Sequence, residues 1–367
     1  MRMCKMSFRT ARLAFILPLA LGSWVAAQTY TITDLGSFGA RSSAIDINAT
    51  GQAAGDAITS GGGDHAALFS NGTVTDLGTL GGTNSYATAI NNSGQVAGHS
   101  YITGSTSIYH AFLYSNGVMN DLGALGGTKS WAYGMNNLGQ VTGEAGTTGN
   151  AAFHAYVYTN GTMKDLGTLG GAVSVGYDIN DTGVVTGYSY TTTSGITHAF
   201  IYSNGTMQDL GTLGGNDSFG FGINAAGQVT GESNLANNTL DAFIYSNGTM
   251  QDLGRLGTSS EGWDINDAGV VVGQSLLPSN AFHAFIYANG TMQDLNSLID
   301  PNSGWTLSVA DGINDSGQIT GYGLVNGVQH AFLLTPTSTP EPGACAIALL
   351  AAAGLLRRRR GSRKVAL

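Results

Sequence analysis

Only two cysteines occur in 367 residues, Cys4 and Cys345, and both lie outside the long patterned middle of the chain. That middle can carry neither a disulfide framework nor a thiolate metal site. Charge is scarce at 10% of residues, and positive charge is scarcest. Between Arg12 and Arg357 only Arg41, Lys129, Lys164 and Arg255 stand against 23 acids, a balance of about −19. A surface of that sign repels phosphate backbones and argues against nucleic acid as a partner. No Gly-x-Ser-x-Gly, Walker or His-Glu-x-x-His sequence is present, so the usual signatures of hydrolases, NTPases and zinc proteases are missing. Long apolar runs are missing too. The two longest, residues 13–21 and 343–356, fall short of the roughly 20 residues a membrane-spanning helix needs.

What the chain has instead is repetition. Residues 198–211 read HAFIYSNGTMQDLG, and near copies start at His110, His154, Asp241 and His283, with a weaker one at His65 and a truncated one at His330. Apolar alternation on both sides of Asn-Gly predicts a β-hairpin, because a type I′ turn needs φ > 0 at both central residues. Asp-Leu recurs at Asp34, Asp76, Asp121, Asp165, Asp209, Asp252 and Asp294, at intervals of 42 to 45 residues. Between these falls a second phrase, Ile-Asn-x-x-Gly-x-x-x-Gly, whose Asn runs from Asn48 to Asn314 in seven copies. Four short strands per repeat follow: a ending in Ile-Asn, b after the Asn-x-x-Gly turn, c from His-Ala-Phe, and d ending in Asp-Leu.

Four strands in about 44 residues is the period of a propeller blade. The ends of the array carry the argument further. The last strand c, from His330, has no d after it, and the first strand d, residues 29–35, has no a, b or c before it. Joining them predicts an all-β, seven-bladed β-propeller of four-stranded blades, closed by the N-terminal strand pairing with the last blade. An open solenoid, the rival, leaves those end strands unmatched. Strand a then lines the channel. Six residues before its Asn stands a serine in every repeat (Ser42, Ser85, Ser130, Ser174, Ser218, Ser260, Ser308). By the period-2 rule the bulky residues Trp131, Tyr133, Phe219, Phe221 and Trp263 lie on the opposite face, expected to pack between blades.

The ends of the chain read as addresses. Residues 1–27 have the basic, apolar and small-residue parts of a secretory signal, with cleavage expected between Ala27 and Gln28. The repeat body is residues 28–334. Residues 335–342 form a linker ending Pro340, Glu341, Pro342, and residues 343–367 a short apolar segment followed by Arg357, Arg358, Arg359 and Arg360. On the His-Ala-Phe phrases, the body resembles the bacterial extracellular HAF-repeat family over residues 30–334. On the Pro-Glu-Pro, apolar run and arginine cluster, the tail is similar to a PEP-CTERM sorting signal. That resemblance implies an exosortase-type membrane enzyme as a partner, transient membrane contact through the C-terminal segment, and an envelope or matrix location in an exopolysaccharide-making bacterium. It supplies no catalytic residue.

The candidate chemistry is thin. His65, His110, His154, His198, His283 and His330 share one repeat position, with Asp241 in the seventh. Equivalent positions in different blades are too far apart for one ion with ligands at about 2.0–2.1 Å. A histidine bonded to a neighbouring strand or turn of its own blade is the expectation, and no metal or cofactor is assigned. Asp181, Asp267 and Asp315 fall in Asn-Asp-x-Gly turns without the alternating oxygen ligands of a calcium loop. The b–c and d–a connections, such as residues 100–109, 188–197 and 295–307, vary in length, are rich in Ser, Thr, Tyr and Asn, emerge on one face, and are where binding is expected. The reading is an exported, non-enzymatic binding or structural propeller, for polysaccharide or an envelope protein. The alternative is a polysaccharide lyase or hydrolase with Asp46, Asp178, Asp264 and Asp311, near the ends of strand a, as its first suspects.

Overall fold

The computed structural model describes residues 28–337. Ala27, Pro340, Glu341, Pro342 and Arg357 to Arg360, with the signal and sorting segments they belong to, lie outside the described residues. Within them are 28 β-strands and two short 3₁₀ turns, and no helix long and apolar enough to cross a membrane. Five sheets have four strands each, and an eight-stranded sheet is two such sets joined by one parallel pairing, Phe153 opposite Val173. The fourth set shows the plan: a is Gly170–Ile179, b is Val185–Thr191, c is Thr197–Ser203 and d is Thr206–Asp209, each antiparallel to the next. In the last set, Trp305–Ile313, Ile319–Val325 and Val328–Pro336 are followed by the N-terminal strand Tyr30–Gly36. Ile32 pairs with Leu334 and Thr33 with Leu333, so the unmatched ends meet.

The local sequence explains these strands. Asn-Gly at the c–d turns adopts positive φ at both residues, 52° at Asn204 and 83° at Gly205, as the type I′ geometry demands. The third residue of the His-Ala-Phe phrase is fully buried at Phe112, Tyr156, Phe200, Phe243, Phe285 and Phe332. Each contributes about 1.5–3 kcal/mol of apolar burial. One core cluster lies between each pair of adjoining sets, as where Ala199 and Leu210 meet Ile223, Val229, Phe243 and Tyr245 of the next.

Strand a is not a plain strand. In all seven sets its pairing with b slips by one residue, between Ala44 and Asp46, Ala87 and Ala89, Ala132 and Gly134, Gly176 and Asp178, Gly220 and Gly222, Gly262 and Asp264, and Ala310 and Gly312. A β-bulge of this kind leaves one residue unpaired and re-aims its side chain. The bulge also explains the last glycine of the repeated phrase. A Cβ on Gly143 would run into the Trp131 carbonyl oxygen, and one on Gly187 into that of Val175. Strict alternation therefore fails at the third residue before the Asn. Trp131 and Phe219 pack against neighbouring sets, on Tyr109 and Tyr188; Tyr133, Phe221 and Trp263, the bulge residues, also meet rings of adjoining sets, and in addition line a cavity.

The serines of strand a stitch sets together. Ser218 Oγ accepts the Ala199 N–H of the preceding set and donates to the Gly211 carbonyl. Ser42, Ser85, Ser130, Ser174 and Ser260 do the same, and Ser42 takes its N–H from Ala331, 289 residues away. The seventh repeat departs from the pattern. A second slip between Leu307 and Val309 puts Leu307, fully buried, beside the place Ser308 was expected to take, and Asn296 bonds the Leu307 backbone.

Candidate functional site

The repeat position of the histidines is a hydrogen-bonded pair within one sheet. His198 Nδ1 on strand c lies 2.8 Å from Asp209 Oδ2 on strand d, and Asp209 Oδ1 accepts the Gly211 N–H. The same pairing joins His65 to Asp76, His110 to Asp121, His154 to Asp165 and His283 to Asp294. His330 pairs with Asp34 of the N-terminal strand. Where Asp241 replaces histidine it is 2% exposed and bonded by Arg255, which stands where other repeats have Ser, Thr or Ala. These residues hold c to d. Among the described residues no three His, Cys, Asp or Glu side chains converge as a metal site.

The second repeated phrase builds something larger. Each turn Asn is buried, and its side-chain oxygen accepts N–H groups of its own turn, as Asn180 Oδ1 does from Thr182 and Val184. Its Nδ2 donates to the backbone carbonyl of the corresponding Asn one repeat on: Asn48 to Asn91, Asn91 to Asn136, Asn136 to Asn180, Asn180 to Asn224, Asn224 to Asn266 and Asn266 to Asn314. Asn314 then donates to Asn48 at 3.0 Å, and the seven bonds form a cycle. They line a polar mouth that also carries Asp181, Asp267 and Asp315.

Beyond this mouth lies a cavity of about 320 Å³ to which strand a of every repeat contributes. The bulge residues Ile45, Thr88, Tyr133, Tyr177, Phe221, Trp263 and Asp311 all line it. Four of them make a continuous aromatic face. Tyr133 stacks on Tyr177 at 5.0 Å between centroids, Tyr177 meets Phe221 edge-on at 5.0 Å, and Phe221 stacks on Trp263 at 4.5 Å. The Tyr133 hydroxyl donates to Glu144 at 3.2 Å.

The same cavity gathers Asp46, Asp178, Asp264 and Asp311, the four acids singled out by sequence. Three of them are brackets. Asp178 Oδ1 accepts the N–H of Ile179 and its Oδ2 that of Ile223 in the next repeat; Asp46 does this with Ile47 and Ile90, and Asp264 with Ile265 and Ile313. Burial pushes Asp178 up to about 6. Burial and then the charge of Asp178 push Asp264 to about 7, and burial with Asp264 pushes Asp46 to about 8. Asp311 differs. It is a bulge residue, one position out of register with the others; burial, and then Asp56, holds it well above the usual carboxylate range. Its Oδ2 is shut off from solvent without a hydrogen-bond partner, and so is Trp263 Nε1.

The variable connections occupy the other end of strand a. Leu80 and Leu169, in d–a connections, bridge to Ile102 and Thr191 at the ends of strand b, so the d–a and b–c connections share one face. The cavity acids and aromatics lie toward the opposite, constant-length turns. Sequence reasoning placed binding in the variable loops. It missed the aromatic wall, because the bulge that turns Tyr133, Tyr177, Phe221 and Trp263 inward has no signal in strict alternation. The invariably spaced glycine on strand b was the one available hint.

No protein-family model and no curated protein sequence matches the chain. Solved structures do. The β-propeller domain of the Trilobed protease from Pyrococcus furiosus, described as having an open velcro topology, matches with a TM-score of 0.53 at 9% identity, over 82% of this chain and 100% of that one. A puromycin-hydrolysing peptidase of Mycobacterium tuberculosis matches with a TM-score of 0.51 at 11% identity, over 83% of this chain and 53% of that one. At these identities the likeness concerns architecture alone. The chain is an all-β protein of the β-propeller type.

Proposed function

We propose that this chain is an exported, non-enzymatic binding protein, a seven-bladed β-propeller closed by its N-terminal strand and holding its ligand in the central cavity. Support for the ring comes from three independent contacts between the ends: Ile32 opposite Leu334, His330 on Asp34, and Asn314 on Asn48. Export rests on the signal-like residues 1–27. Processing at the tail by an exosortase-type enzyme, and an envelope or matrix location, rest on Pro340-Glu341-Pro342 and the arginine cluster.

The observation that carries binding over catalysis is the use of the cavity acids. A general acid or base must exchange its proton with a substrate atom within about 2.6–3.2 Å. Asp46, Asp178 and Asp264 instead have each oxygen anchored by a backbone N–H that holds neighbouring repeats together, so none can carry a proton to and from a substrate without releasing its bracket. Beside them, the aromatic face offers broad apolar contact of the kind that ligand sites use. The expected ligand is part of an extracellular polysaccharide. The test mixes the full chain with bacterial exopolysaccharide and measures both retention and release of soluble sugar. Retention without release, weakened by Phe221→Leu, is the expected result. Sugar release abolished by Asp178→Asn would replace this reading with a polysaccharide-cleaving enzyme.

A further inference from the structure

The cavity is more selective than a generic carbohydrate slot. Its lining contains four carboxyl groups and no Lys, Arg or His, and the mouth adds three more carboxyls without a basic residue. An anionic ligand finds no positive partner there and would face carboxyls that ionise against it. A single metal ion is a poor match as well, since among the described residues no three acids converge closely enough to ligate one. Positive charge spread over an organic frame fits both facts, and the faces of Tyr133, Tyr177, Phe221 and Trp263 attract such a charge through their π-electrons.

Two buried atoms narrow the chemistry. Asp311 Oδ2 is shut off from solvent and lacks a donor, and Trp263 Nε1–H is shut off and lacks an acceptor. Both residues line the cavity as bulge residues of adjoining repeats. Buried polar atoms are normally satisfied, so these two call for a partner that donates at one point and accepts at another. An ammonium group has three donors and no acceptor, whereas a hydroxyl can accept from the indole. The bracket aspartates also have capacity to spare. A carboxylate has about four lone-pair sites, and each has two committed to backbone N–H groups.

We propose that the cavity receives a hydroxylated organic amine of about one sugar ring, an amino sugar with a free amine, its ammonium held by Asp311 with the bracket aspartates and its ring against the aromatic face. This proposal rests on the cavity being the binding site and specifies what enters it. A volume of about 320 Å³ lies at the small end of ligand sites, which suits one ring rather than an oligosaccharide. The raised carboxyls agree with the assignment, because an entering cation favours their ionised forms and releases protons.

The experiment is calorimetric titration of the full chain at pH 7 with glucosamine, N-acetylglucosamine, glucose and putrescine, in two buffers of different ionisation heat. Glucosamine is expected to bind at least about tenfold more tightly than its acetylated or deaminated counterparts, with net proton release. Asp311→Asn should weaken glucosamine by about tenfold or more while the melting temperature does not fall. Trp263→Phe should cost glucosamine more than putrescine. Equal binding of glucose and glucosamine, weakened by Phe221→Leu, would overturn the amine while leaving the cavity as the binding site. Putrescine binding as tightly as glucosamine would overturn the hydroxyl requirement. If no sugar or amine binds and Phe221→Leu leaves polysaccharide retention unchanged, the binding site itself lies elsewhere.

Discussion

Asn180 is the sharpest place to test how the repeats are joined. Its Oδ1 accepts from the N–H groups of Thr182 and Val184, and its Nδ2 donates to the Asn224 carbonyl of the next repeat at 3.0 Å. Asn180→Ala removes these three bonds and a fourth, from the Thr182 hydroxyl to Oδ1. The stranded groups each carry a penalty of about 1–3 kcal/mol when buried, reduced here because the polar mouth lets water reach some of them. A loss of about 3–5 kcal/mol follows, a large share of a typical domain stability of about 5–15 kcal/mol. Asn180→Asp separates the two roles. The carboxylate still accepts from the turn but sets an oxygen against the Asn224 carbonyl, so only the cross-repeat bond is lost, at about 1–3 kcal/mol. Urea unfolding gives both magnitudes, and hydrogen exchange shows where protection disappears. The expected pattern is lowered protection in repeats on both sides of the substitution. A wild-type melt for Asn180→Asp would refute the reasoning, as would loss of protection confined to the turn at residues 180–184.

Four further outcomes are expected. Stability should fall as pH rises from about 4 to 8, because Asp178, Asp264 and Asp46 hold their protons more tightly folded than unfolded. Raising Asp178 from 3.8 to about 6 accounts for about 3 kcal/mol, present below pH 3.8 and lost as pH passes 6; melts of Asp178→Asn should show a correspondingly shallower slope. Gly187→Ala should destabilise by several kcal/mol on the order of a severe core overpacking, or prevent folding, since its Cβ meets the Val175 carbonyl; expression and circular dichroism decide it. Arg255→Thr should cost about 3 kcal/mol by stranding buried Asp241, and adding Asp241→His should recover most of it by restoring the pair found in other repeats. Deleting residues 29–35 should lower the melting temperature of the whole array in one cooperative step; a local loss in the last sheet alone would argue against a closed ring.

Much of this architecture was legible because its rules are short-ranged. Asn204-Gly205 announces its turn, and the constant eleven residues between His198 and Asp209 carry one side chain back to meet the other across a single hairpin. The unpaired strand at either end was legible by counting. The cavity wall was not, because a bulge depends on pairing between strands, and period-2 reading assumes an unbroken pleat. Asp311 is the clearest case: sequence grouped it with Asp46, Asp178 and Asp264, yet it occupies the bulge position that Trp263 and Phe221 fill elsewhere. The asparagine cycle was hidden for another reason. Each bond joins residues 42 to 48 apart, and the last joins residues 266 apart. The recurring Asn looked fully explained by its own turn.

The pairing of Tyr30–Gly36 with Val328–Pro336 also sets an order of events in time. His330 and Asp34 are 296 positions apart, and closing a loop of that length costs about 5 kcal/mol of chain entropy, roughly 2 kcal/mol more than closing one of 44 residues. Contacts between neighbouring repeats are therefore the cheaper ones, and the N-terminal strand, made first, is the last to find its place. Until residues 328–336 exist, no arrangement of the preceding chain offers Tyr30–Gly36 the strand it ends up beside. Completion of the array thus waits on residues 328–336, and the slow phase of refolding should carry the signal of that one pairing.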